Sequence, residues 1–97
     1  MTNEQINKAI AKACMWTKQD QHGVLYKTAW GWEYNCPDFC GDLNAMHEAE
    51  KACRVDRNWI YLNRLDQICR VDAVYATARE RAEALLRTVG KWREAQP

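Results

Sequence analysis

Residues 17–42, TKQDQHGVLYKTAWGWEYNCPDFCGD, separate two stretches of helical hydrophobic periodicity and have none themselves. Gly23, Gly31, Pro37 and Gly41 punctuate the segment, which predicts loop with short extended pieces over 24–26 and 29–32. An irregular stretch this long in a chain of 97 residues is either functional or disordered. Tyr26, Trp30, Trp32, Tyr34 and Phe39 argue against disorder. The rings either cover a thin core or offer flat surfaces on which a planar ligand stacks.

The flanking segments read as helices. Thr2 or Asn3 can cap a first helix in which Ile6, Ala9, Ile10, Ala13 and Cys14 recur at helical spacing, to about Trp16. Asp42 can cap a second helix running to Ala52 or Cys53. Leu43, Ala45, Met46, Ala49, Ala52 and Cys53 share one side of it, and Asn44, His47, Glu48 and Lys51 the other. Glu50 falls at the edge of the apolar stripe, where a carboxylate requires a partner. Asp56 is the expected cap of a third helix over 57–67, with Leu62, Leu65, Ile68 and Cys69 inward, although Trp59-Ile60-Tyr61-Leu62 also reads as a strand; alternation at Val71, Asp72 and Ala73 suits a short strand over 70–76. Thr77 and Glu80 form a capping box for a last helix whose buried stripe is Ala78, Ala82, Leu85, Leu86 and Val89 and whose stop is Gly90. The expected architecture is α+β: one small, mostly helical layered domain over 1–97, with about four helices and short strands near 24–32 and 70–76.

Fourteen Lys and Arg against 13 Asp and Glu leave a formal net charge of +1, which argues against binding to nucleic-acid polymers or membrane surfaces. No apolar run reaches the length of a membrane span and the start lacks the layout of a signal peptide, so the expectation is a soluble intracellular protein. Five cysteines in such a chain read as reduced thiols, with Cys53 and Cys69 as small buried hydrophobes. Cys36 and Cys40 with His22 or His47 offer zinc-binding atoms, but the paired C-x₂-C spacing is missing and no metal is expected. His47-Glu48 begins like the zinc-protease motif H-E-x-x-H, which fails at Lys51. There is no glycine-rich phosphate loop, and no cofactor is expected. What remains is a polar helix side, a loop of aromatics and the arginines of the last helix. These are components of a pocket for a planar, anionic or zwitterionic small molecule.

Two stretches, PDFCGDLNAMHEAEK (37–51) and ATARERAEALLRTVGKW (76–92), together with the opening EQINKAIAKAC, resemble the small bacteriophage family called the phage ABA sandwich domain. Its members typically read P-D-Y-x-x-D-L-N-A-M-H-E-A-E-K and A-T-A-x-x-R-A-E-A-F-L-R-T-x-G-K-W. The chain departs from that pattern over 15–36 and at Leu85, where the family has Phe. The resemblance implies a phage origin and a compact layered α/β fold, and brings no catalytic mechanism.

The leading expectation is therefore a homo-oligomeric phage protein in the host bacterial cytoplasm. It would act as an anti-defence sponge of the Thoeris/CBASS type, holding a nucleotide-derived immune signal without cleaving it. The candidate ligand-binding residues are Trp30, Trp32, Tyr34, Asp42, Asn44, His47, Glu48, Arg79 and Arg81, with no catalytic residue assigned. A second expectation is an accessory module that inhibits a host protein through its tryptophan-rich surface. A third is a signal-degrading enzyme using His47 as general base with Glu48 or Glu50 assisting.

Overall fold

A computed structural model describes residues 1–28, 30–69 and 76–93. The order of elements is α1 (Asn3–Ala13), β1 (Thr17–Asp20), β2 (Gly23–Thr28), β3 (Gly31–Glu33), α2 (Leu43–Ala52), α3 (Trp59–Cys69) and α4 (Ala78–Thr88). Among the described residues this is an α+β arrangement of four helices and a three-stranded antiparallel sheet in the order β1-β2-β3.

Local chemistry sets the helix starts. Thr2 accepts from the Gln5 amide at 3.2 Å while its own amide donates to Gln5 Oε1 at 2.9 Å, and Thr77 and Glu80 repeat the exchange at α4. Asp42 Oδ1 accepts the Asn44 and Ala45 amides at the start of α2. At α3 the expected cap is displaced: Asn58 does the work, its side chain accepting from the Ile60 amide at 2.9 Å. The buried face also differs from the expected one. Tyr61 and Leu65 are fully buried, Ile68 and Cys69 half-buried, and Leu62 is exposed. Tyr61 takes the inward position because its hydroxyl finds an acceptor inside, on Glu50.

The helix ends are equally specific. After α1 the Met15 amide donates to Lys12 and the Trp16 amide to Ala11; after α2 the Arg54 amide donates to Lys51 and the Val55 amide to Glu50. Both are Schellman closures, with Met15 (φ 60°) and Arg54 (φ 58°) in the left-handed region usually left to glycine. Gly90 (φ 77°) does this for α4, as its sequence position predicts.

Helix α4 packs against α1, α2 and α3. Its buried residues are Ala78, Ala82, Ala84, Leu85 and Leu86, and the three alanines let neighbouring helices come close. Ile6 and Ile10 from α1, Met46 and Ala49 from α2 and Phe39 from the loop complete the centre. On α2 the buried face is rotated relative to the expected one: Met46, Ala49 and Glu50 are inside, while Leu43 and Ala52 are exposed. Cys53 and Cys69 are half-buried rather than interior.

The sheet is peripheral. Tyr26 is its buried residue, and β1 and β3 are largely exposed. Strand β1 falls in polar TKQD, where no hydrophobic alternation announces it; it forms by pairing with β2, Thr17 opposite Tyr26 and Asp20 opposite Gly23. Asp20 Oδ1 accepts the His22 amide at 2.8 Å and shapes the turn between them. The Lys27 amide donates to the Trp16 carbonyl at 2.9 Å, fastening the sheet to the end of α1. The strand expected over 70–76 lies, but for Ala76, outside the described residues. No helix of the described residues is long and apolar enough to cross a membrane.

Candidate functional site

Glu50 is the organising residue. Its carboxylate is only 3% exposed, and each oxygen has partners. Oε2 accepts from the Tyr61 hydroxyl of α3 and from Arg81 Nη1 of α4 at 3.0 Å, and Oε1 accepts from His47 Nδ1 at 3.0 Å. One carboxylate thus joins three helices, which supplies the partner that its position in the sequence requires. Burial first, then the hydrogen bond to Glu50, pushes the Tyr61 hydroxyl far above its ordinary value, so it remains a proton donor at any physiological pH. With Nδ1 committed to Glu50, Nε2 is the His47 nitrogen on offer to a ligand.

Glu50, His47 and Arg81 of this network line a depression of about 550 Å³ together with Asn44, Glu48, Lys51 and Asp56. Lys51 lies 3.7 Å from Glu48, both of them exposed. Arg81, Lys51 and His47 supply donors there; Glu48, Glu50 and Asp56 supply acceptors.

A second cavity of about 640 Å³ shares Asn44 and Glu48 with the first. It is mainly apolar. Trp16 and Phe39 stack in its wall with ring centroids 6.1 Å apart and planes inclined by 22°, and Trp30 and Pro37 extend the surface. Glu33 and Asp42 contribute carboxylates to its lining, and Lys27 an ammonium. Cys36 also lines it, but burial pushes that thiol up to about 11, so it is protonated near neutral pH and a weak nucleophile.

Of the residues that the sequence singles out, Asn44, His47, Glu48 and Arg81 meet at the first cavity, and Trp30 and Asp42 join Asn44 and Glu48 at the second. Three lie elsewhere. The Trp32 ring carries the Lys18 ammonium 4.5 Å from its centroid, and Tyr34 donates its hydroxyl proton to Asp20 at 2.7 Å. Arg79 contacts Asn3, pairs with Glu83 at 3.4 Å and lies over Trp92. Two residues apart on a helix means roughly 200° of rotation, so Arg79 and Arg81 cannot serve one pocket. Lys51 and Phe39, which the sequence placed on the polar helix side and in the aromatic loop, line the first and second cavity respectively, whereas sequence reasoning missed Trp16 and Tyr61 as pocket or network residues. Only Glu50, a carboxylate on an apolar edge, hinted that a donor such as Tyr61 was needed.

Among the described residues, no three His, Cys, Asp or Glu side chains converge in a way that could hold a metal ion. Comparisons of the chain with known protein families, curated proteins and solved structures find no match.

Proposed function

We propose that this chain binds a nucleotide-derived small molecule and holds it intact. The observation that carries the reading is the shared lining: Asn44 and Glu48 border both an aromatic cavity and one furnished with Arg81, Lys51 and His47. A base would enter beside Trp16, Phe39 and Trp30, with its ring N–H groups toward the carboxylates of Glu33 or Asp42. A phosphate or other polar group would reach past Asn44 and Glu48 toward Arg81, Lys51 and His47. Asn44, with donor and acceptor on one short side chain, would orient the link between them. The motif resemblance suggests a phage origin, and analogy with anti-defence sponges suggests the rest of the proposed setting: a homo-oligomer in the host bacterial cytoplasm that removes an immune signal by sequestration.

The test is to purify the protein from bacterial cells, denature it and identify released small molecules by mass spectrometry, then titrate the empty protein calorimetrically with cyclic dinucleotides and cyclic ADP-ribose isomers. A stoichiometric, uncleaved nucleotide supports sequestration. A cleaved product would transfer weight to catalysis with His47 as base. Neither co-purified ligand nor measurable heat would leave the protein-interaction reading, which one observation favours: Trp30 is 89% exposed and Trp59 72%. A host pull-down returning a stoichiometric partner lost on Trp30→Ala would establish that alternative.

A further inference from the structure

Helices α1 and α2 end in the same way. Each closes on the tripeptide Lys-Ala-Cys, with the cysteine at the C-cap and the next residue in the left-handed conformation, so Cys14 and Cys53 occupy equivalent positions. Their sulfurs lie 3.5 Å apart, in van der Waals contact. Cys14 is buried, with its Sγ 3.8 Å from the Ala49 carbonyl, whereas Cys53 is half-buried and within reach of solvent. Both backbones are clamped by the Schellman hydrogen bonds, which hold the two thiols together at helix ends rather than on loose loops.

We propose that Cys14 and Cys53 form a dithiol redox site that small disulfides oxidise to a bond joining the end of α1 to the end of α2. The more accessible Cys53 reacts first, as the thiolate, attacking one sulfur of the oxidant; a mixed disulfide forms and one thiolate of the oxidant leaves. Cys14 then gives up its proton and attacks the Cys53 sulfur. The intramolecular bond forms, the second oxidant thiolate departs, and the chain has lost two electrons and two protons while the oxidant has become two thiols. The electrostatics favour that order. A hydrogen bond from Cys14 lowers the Cys53 thiol below its ordinary value, and the same bond with burial raises Cys14, making Cys53 the attacking sulfur and Cys14 the resolving one.

The bond would enclose the whole sheet and the Trp16 and Phe39 wall of the aromatic cavity in a covalent loop, so oxidation constrains the segment that carries that cavity. In a reducing compartment such a bond is transient and reports oxidant exposure. The other thiols are placed differently: Cys40 Sγ lies 3.8 Å from the Asn3 carbonyl and Cys69 Sγ 4.0 Å from that of Asp66.

The experiment is to treat the reduced full chain with excess oxidised glutathione, quench with acid, alkylate and map tryptic peptides by mass spectrometry. The expected product has lost two hydrogens, links peptide 13–18 to peptide 52–54, and melts at a higher temperature than the reduced chain, reversibly on reduction. The same bond should form when Cys36, Cys40 and Cys69 are all replaced by serine, and Cys53→Ser should abolish it. A Cys36–Cys40 bond as the main product, a glutathione adduct persisting on Cys53, or recovery of Cys14 and Cys53 as separately alkylated thiols would overturn the proposal. The wild-type map decides the matter even if the triple variant fails to fold.

Discussion

Glu50 stands where a helical wheel favours an alkyl side chain, and its three partners convert an expensive burial into a junction. A buried carboxylate with a partner removed is far less stable than either the intact pair or an apolar replacement. Arg81→Ala should therefore cost about 3–5 kcal/mol in urea unfolding. Tyr61→Phe, which removes one hydrogen bond and leaves the carboxylate paired with Arg81, should cost about 1–3 kcal/mol. Converting both Glu50 and Arg81 to methionine should recover most of what Arg81→Ala loses. If the double variant is as unstable as the single one, packing rather than charge explains the site. His47 is different in kind, since its side chain is 46% exposed. His47→Ala should shift the unfolding midpoint little and, if the first cavity takes a ligand, weaken binding about tenfold, the scale of one polar contact. Calorimetry on the same sample measures both.

At the level of elements, caps and stops were legible because their determinants lie within a few residues of one another. Asp42, Thr77 with Glu80, and Gly90 each act where the sequence places them, and of the two candidates for the first cap Thr2 is the one used, paired with Gln5. Thr77→Ala should accordingly remove about 1 kcal/mol. Arg54→Gly should add roughly 0.5–1 kcal/mol, because glycine avoids the left-handed penalty and gives part of that gain back as chain entropy. Arg54→Ala gives no such gain, and comparing the two by urea midpoint separates backbone strain from loss of the side chain. Elements whose determinants are distant were not legible. On α3 it is Tyr61 that faces inward, held by Glu50 eleven positions away, and Asn58 rather than Asp56 caps the helix. β1 exists because a turn at Asp20 lays it against β2. The candidate site divides along the same line. Asn44, His47 and Glu48 share a helix side that 100° periodicity identifies, whereas Trp32 and Tyr34 depend on a strand register that composition does not encode.

For the molecule as a whole, the helices share a centre in α4, while the sheet is held mainly through Tyr26 and the Lys27–Trp16 hydrogen bond. Amide hydrogen exchange should show this gradient, with protection falling from α4 outward and the amides of β1 and β3 exchanging by local opening well before the chain unfolds. Uniform protection would mean that the sheet is docked more firmly than its exposure indicates. The proton balance gives a second global property. Burial raises the Cys36 and Cys40 thiols and the Tyr61 hydroxyl, and the Cys53 contact followed by burial raises Cys14; of the thiols shifted, only Cys53 moves the other way. A raised group holds its proton more tightly folded than unfolded. Unfolding in alkali therefore releases protons, and stability falls as pH rises. For Cys36 the window runs from the ordinary thiol value of 9.0 to about 11, and Tyr61 extends the loss above the ordinary tyrosine value of 10.0. The urea midpoint of the reduced protein should thus be lower at pH 10.5 than at pH 8. Cys36→Ala should flatten part of that decline, and Tyr61→Phe should flatten its upper part. A midpoint unchanged across that range would mean that these side chains meet water in the folded state, and the Glu50 junction, which depends on a protonated Tyr61, would lose its donor.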